Sequence, residues 1–155
     1  MEVEKAREFA QKVARLEAMD ERTRRVETCA MRVRDALNNA CPRCKAVFED
    51  FNGCTALTCH RCSAGFCAWC LADCGADAHR QVASCARNLA PGHDVFSPME
   101  VWVEGCAARR RREVTDLLRG LADRSIAHDV ALKVMPELVD LNIADVAAGF
   151  INHRA

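Results

Sequence analysis

The sequence has no tyrosine, and its other aromatic residues are only two Trp and six Phe. So few rings leave material for only a small conventional core, and something else must help hold 155 residues together. An excess of charge is also missing: Lys+Arg and Asp+Glu both number 22. A neutral chain has no field to gather nucleic acid, so that partner is not expected. No apolar run approaches the roughly 20 residues of a membrane-spanning helix, so no membrane partner is expected either. The charged start, Met1-Glu-Val-Glu-Lys-Ala-Arg-Glu, carries no apolar signal core. Internal repeats and low-complexity tracts are lacking too.

Cysteine is abundant. The chain has eleven, and eight lie between Cys41 and Cys74. They form Cys-x-x-Cys pairs at Cys41/Cys44, Cys59/Cys62 and Cys67/Cys70. A disulfide framework of this density belongs to secreted chains, and the charged N-terminus argues against one. The expectation is a reduced, intracellular, zinc-binding protein, cytoplasmic with the nucleus left open.

Three regions follow along the chain. Residues 1–39 read as one long amphipathic helix. Val3, Phe9, Val13, Leu16, Met19, Val26, Val33 and Leu37 recur mostly at intervals of three, four or seven, with Glu, Lys and Arg opposite. This stripe packs on the rest of the chain or on a partner, and helix-mediated self-association stays open. Asn38-Asn39 and then Pro42 end the run. Residues 40–92 are rich in Cys, Gly, Asp and His, with room only for brief strands near 46–48, 57–59 and 65–67. Residues 97–155 return to helix. Ser97-Pro98-Met99-Glu100 has the form of a capping box with Pro in the first turn. A second helix is predicted over 126–135, a short one over 137–141 after Pro136, and a last one from Asn142/Asp145 to about Ile151. Arg109 to Arg112 read as a solvated helix face or a set of ion pairs, with a docking surface for an acidic partner as the alternative.

Tetrahedral zinc needs four converging ligands, and a Cys-x-x-Cys knuckle supplies two from one turn. Cys41, Cys44, Cys59 and Cys62 make one complete site. Cys67 and Cys70 begin a second, to be completed from Cys54, Cys74, His79, Cys85 or His93. An interleaved, cross-braced arrangement would use Cys54 and the residue two places on, which is Ala56 and cannot bind metal. A sequential arrangement closes on His79 and Cys85, fills eight positions and leaves Cys54 over.

Cys41-Pro-Arg-Cys44, Asn52-Gly53-Cys54, Cys59-His-Arg-Cys62 and Phe66-Cys67-Ala-Trp-Cys70 together resemble the catalytic, second RING-like domain of RING-between-RING ubiquitin ligases. The resemblance covers residues 41–85. It implies a small RING-like module of short strands with its two zinc sites sequential rather than cross-braced, which with the helical patterns on either side makes a predominantly α protein with that module in its middle. It also implies a function. Cys54, after a Gly and five residues before the third ligand Cys59, would take ubiquitin as a thioester from a conjugating enzyme and pass it to a lysine of a protein substrate. Many members carry His two residues after the nucleophile, where Ala56 stands. The first RING finger and the in-between domain, which recruit the conjugating enzyme, have no counterpart here, so the chain is a fragment of a larger one or recruits by another device.

The chemistry asks for a thiolate, and an ordinary Cys near pKa ~8.5 is only a few per cent ionised at neutral pH. His60 is the first candidate for proton transfer, with Asp50 and Glu49 next. The competing reading is a non-catalytic zinc module that binds ubiquitin, a conjugating enzyme or another partner, and a third is a cross-braced RING-type scaffold ligase that positions a charged conjugating enzyme without a covalent intermediate. Cys29 and Cys106 fall at packing positions of helices, and Phe48 and Phe66 are expected to form a small core beside the metal segment. His93, after Pro91-Gly92, reads as loop.

Overall fold

The computed structural model describes residues 2–17 and 20–151. Met19 of the predicted stripe lies outside them, as does the side chain of Leu16. Among the described residues the protein is mostly helical, with one two-stranded sheet. No helix there is long and apolar enough to cross a membrane.

The single N-terminal helix of the sequence reading is two helices, α1 (Glu2–Glu17) and α2 (Glu21–Leu37). Asp20 starts the second. Its extended backbone and carboxylate, which accepts from the Thr23 N–H at 2.8 Å, form an N-cap within an otherwise helical pattern. On α2 the expected stripe is buried at Val26, Val33 and Leu37, and Ala30 is buried with it. On α1 Val3 and Phe9 are exposed.

After the cysteine segment come α4 (Met99–Arg119), α5 (Arg124–Asp140) and α6 (Asp145–Ile151). They enclose one apolar core with α2. Val114, Val130, Val134, Leu138, Ile143 and Ala147 are fully buried beside Val33 and Ala30. Each large aliphatic side chain so buried stabilises by about 1.5–3 kcal/mol. Polar contacts fix the register of α2 on α5. Arg22 reaches Asp129 and Ser125 at 2.6 Å each, Arg34 reaches Glu137 at 2.5 Å, and Lys133 pairs with Glu27.

Three helix details differ from the sequence reading. The capping box at Ser97 does not form. Pro98 is the N-cap residue, the Ser97 hydroxyl donates to the Pro98 carbonyl at 3.0 Å, and the Ser97 N–H is bonded to the Gly53 carbonyl at 2.8 Å. Pro136 does not divide the next helix, and α5 runs through it, held on both sides by the buried Val134 and Leu138. The four arginines supply the expected ion pairs, to Glu113 and Asp145, but two of them also hold the end of α2, which the sequence does not show. Arg109 is 2% exposed and donates to the carbonyls of Ala36 and Asn38, the Asn39 side chain and Glu113. Arg110 donates to the Leu37 carbonyl at 2.8 Å. Together they satisfy backbone acceptors that the end of α2 leaves without helical partners. Arg111 pairs with Asp145 at 3.0 Å.

The cysteine segment forms β1 (Ala56–Thr58) antiparallel to β2 (Gly65–Cys67), with Ala56 opposite Cys67 and Thr58 opposite Gly65. The strand expected at 46–48 is a single bridge between Ala40 and Val47. A short helix, α3 (His79–Ala83), precedes Cys85, and a 3-10 turn spans Pro91–His93. Phe48 and Phe66 meet with ring centroids 5.5 Å apart, as the sequence suggests. Trp69 is packed away, 1% exposed, against Gly105 of α4.

Candidate metal centres and a thiol outside them

Three turns have one geometry. In each, the first Cys N–H bonds the carbonyl five residues on: Cys41 to Ala46, Cys59 to Ala64 and Cys67 to Ala72. Its own carbonyl accepts from the residue four on, which is Lys45, Ser63 or Leu71. Those three residues all have left-handed backbone, with φ of 64°, 62° and 56°. The turn folds each pair back so that both sulfurs face one point, and the left-handed residue costs about 1–2 kcal/mol because it is not glycine.

The turns assemble two groups of thiols able to hold metal ions. Cys41, Cys44, Cys59 and Cys62 converge in the first, and Cys67, Cys70 and Cys85 in the second. All are free thiols. In the first group Cys41 Sγ lies 3.6 Å from Cys62 Sγ, and Cys44 Sγ lies 3.6 Å from Cys59 Sγ. Sulfurs at the corners of a tetrahedron with ~2.3 Å bonds lie ~3.8 Å apart, so the donor set suits a tetrahedral thiophilic ion. Crowded thiols titrate as a set. Backbone N–H groups of Cys62 and Arg61 hold Cys59 down at about 6. The Ala64 N–H acts to lower Cys62, but desolvation and the facing thiols of Cys41, Cys44 and Cys59 outweigh it and push Cys62 up to about 11. In the second group the hydrogen bond from Cys67 holds Cys70 down at about 5, and the same contact raises Cys67.

The fourth position of the second group is not supplied by the described side chains as they stand. His79 does not join the three sulfurs. Its Nδ1 lies 2.5 Å from Asp77 Oδ1, and its side chain is 58% exposed. Cys74 is half-buried, and its thiol donates to the Ala72 carbonyl at 3.3 Å. Arg43, inside the first knuckle, forms a bidentate pair with Asp73 at 2.9 and 3.0 Å and so ties the two halves of the segment together.

Cys54 belongs to neither group. It is half-buried, and its thiol donates to the Ala56 carbonyl at 3.4 Å. Its loop is held from two sides. Before it, Phe51 stacks on Trp102 of α4 with centroids 4.3 Å apart and planes 10° from parallel. After it, Thr55 donates both its N–H and its hydroxyl to the Val95 carbonyl, each at 2.7 Å. Gly53, with φ of 99°, makes the turn between these anchors, where a side chain would be strained. His60 lies exposed in the second knuckle, and the described contacts do not bring it to Cys54. Asp50 and Glu49 are exposed just before the loop. His93, read as loop, ends the 3-10 turn, and its carbonyl accepts from the Phe96 N–H at 3.1 Å.

The sequence reading missed the part played by residues 95–97 in seating Cys54. That pairing spans some forty residues and leaves no local pattern. Cys106 is buried, and Cys29 packs at the edge of the helical core. No family model, no curated protein and no solved structure matches the chain.

Proposed function

We propose that residues 41–85 are a RING-like module holding two zinc ions in sequence, and that Cys54 performs ubiquitin ligase-type transthiolation. The observation that carries this reading is the placement of Cys54. Both metal-capable groups form without it, and its thiol sits on a loop anchored by Phe51 and Thr55. Bound zinc would supply fixed geometry. Cys41, Cys44, Cys59 and Cys62 would hold one ion, and Cys67, Cys70, Cys85 and His79 the other. The Asp77 contact supports His79 in that role, because a metal-bound His usually gives its second ring N–H to a carboxylate or carbonyl and keeps the other nitrogen for the ion.

In the first step the Cys54 thiolate attacks the carbonyl carbon of ubiquitin held as a thioester on a conjugating enzyme. A C–S bond to Cys54 forms, and the donor leaves as its own thiolate. In the second step a lysine amine of the protein substrate attacks the same carbon. The amide C–N bond forms, Cys54 leaves as thiolate, and the proton of the amine passes to a base. Such a base contributes roughly 10²–10⁴-fold. His60 is the first assignment from the sequence. His93 is added because its turn leads directly into the segment paired with Cys54.

A non-catalytic interaction module is the second reading, and the exposed Val47, Phe96 and Met99 favour it. One experiment separates the two. The protein is incubated with ubiquitin-charged conjugating enzyme and run on gels with and without reductant, and its zinc is counted. Transfer chemistry gives a reducible ubiquitin adduct that Cys54→Ala abolishes while zinc content stays the same. If no adduct forms, or if Cys54→Ala lowers the zinc count, the catalytic reading fails.

A further inference from the structure

We infer that Phe96 is the specificity-determining wall of the Cys54 site, seating the extended C-terminal tail of the acyl donor as a chain of apolar and basic side chains. The inference rests on the transthiolation reading of Cys54.

The geometry begins with the backbone. Cys54 and Phe96 face each other in an antiparallel bridge. The Thr55 N–H bonds the Val95 carbonyl, and the Ser97 N–H bonds the Gly53 carbonyl. That pattern makes Cys54 and Phe96 a non-hydrogen-bonded pair. In such a pair the facing Cα atoms are about 4.5 Å apart and the side chains stand together on one face. Alternation along the strip agrees. Thr55 and Val95, the next residues, are 1% and 8% exposed, while Cys54 is half-buried and Phe96 is 58% exposed. The ring therefore stands beside the thiol and toward solvent.

Phe96 lacks an aromatic partner among the described residues, so its position is not explained by packing with another ring. A large exposed ring beside a nucleophile offers apolar area that a bound chain would cover. The helix that begins three residues on, α4, opens with exposed side chains of definite character. Met99 and Val103 at the start of α4 are about half exposed, and Glu100 and Glu104 beside them are exposed as well. Apolar and acidic groups in this order complement an extended peptide with apolar and basic side chains, ending in the carbonyl that Cys54 attacks. Charge complementarity of this kind steers the encounter and weakens with salt.

The test uses the zinc-loaded full chain and two probes of Cys54. One is iodoacetamide, small and without a tail. The other is a peptidyl thioester with an apolar, basic C-terminal tail. Phe96→Ala should slow acylation by the thioester at least tenfold and leave the iodoacetamide rate within twofold. Glu100→Lys with Glu104→Lys should slow acylation at low salt, and the difference should vanish at high salt. Equal acylation by wild type and Phe96→Ala overturns the wall and leaves Cys54 chemistry standing. Parallel slowing of both probes overturns it too, since Phe96 would then act only through the fold. A dimer that Phe96→Ala dissociates would assign the ring to a second copy instead. If Cys54 reacts with iodoacetamide yet takes no acyl group from the thioester, the transfer reading itself falls, and the wall with it.

Discussion

Gly105 of α4 lies directly beneath the indole of Trp69. A Cβ at Gly105 would stand 2.6 Å from both Cε3 and Cζ3 of that ring. Trp69 is inside the third knuckle and is 1% exposed, so the ring cannot swing aside into solvent. Gly105→Ala should therefore destabilise the fold by about 1–3 kcal/mol, the usual range for forcing one extra carbon into a packed site. Urea unfolding would measure it. An unchanged midpoint would mean that the knuckle and α4 are not in contact.

Metal dependence should be uneven along the chain. The two thiol groups organise residues 41–85, whereas the core of α2, α4, α5 and α6 is aliphatic. Structural zinc contributes apparent binding energies of ~10–16 kcal/mol in small finger peptides. A strong chelator should unfold the cysteine segment and leave most helical signal in circular dichroism. On the proposal that each group holds one zinc ion, Cys44→Ser and Cys70→Ser should each remove one of the two. Retention of both ions in either variant would remove that residue from its site.

The left-handed residues make a stabilising substitution possible. Ser63 has φ of 62° and an exposed side chain. Ser63→Gly relieves the steric cost of that conformation but adds backbone entropy to the unfolded chain, leaving a net gain of roughly 0.5–1 kcal/mol. Competition against a coloured chelator should show tighter zinc binding. Weaker binding would refute the left-handed turn.

These turns also mark how far the sequence can be read. Cys-x-x-Cys spacing identifies the knuckles because metal chemistry fixes which residues must recur. The turn that closes each knuckle is carried by Lys45, Ser63 and Leu71, none of which is a residue that signals left-handed backbone. The break at Asp20 was hidden for a related reason. One acidic residue on the polar face of a helical pattern looks the same whether it continues a helix or caps a new one. Pro136 misled in the opposite direction, because tertiary packing of Val134 and Leu138 outweighs one missing N–H. The burial of Arg109 had no local signature, since its partners lie some seventy residues earlier. The two groups of converging thiols were legible for the same reason, and the strap that seats Cys54 was not.

Acid sensitivity should be traceable to carboxylates paired between α2 and α5, of which Glu137 is one. The hydrogen bond from Arg34 holds the Glu137 carboxyl below its ordinary range. A group whose folded value is depressed contributes stability above its unfolded value and loses it as pH falls through the folded one. The Arg34–Glu137 pair should therefore help at neutral pH and fade in acid. Both side chains are 37% exposed, so the effect is modest and screened by salt. Glu137→Gln should lower stability at pH 7 and flatten its decline below pH 5. An identical pH profile in the variant would show that the pair contributes nothing.

The shared core of α2 with α4, α5 and α6 has a consequence for how the chain comes to be. During synthesis α2 is finished before any of its apolar partners exists, and the whole thiol-rich stretch emerges between them. The nascent protein thus has its metal-capable turns in hand while α2 still waits, stripe uncovered, for the helices that will cover it. In the finished fold the same arrangement lets a protease nick the cysteine segment without parting the two pieces, because their aliphatic contacts lie elsewhere.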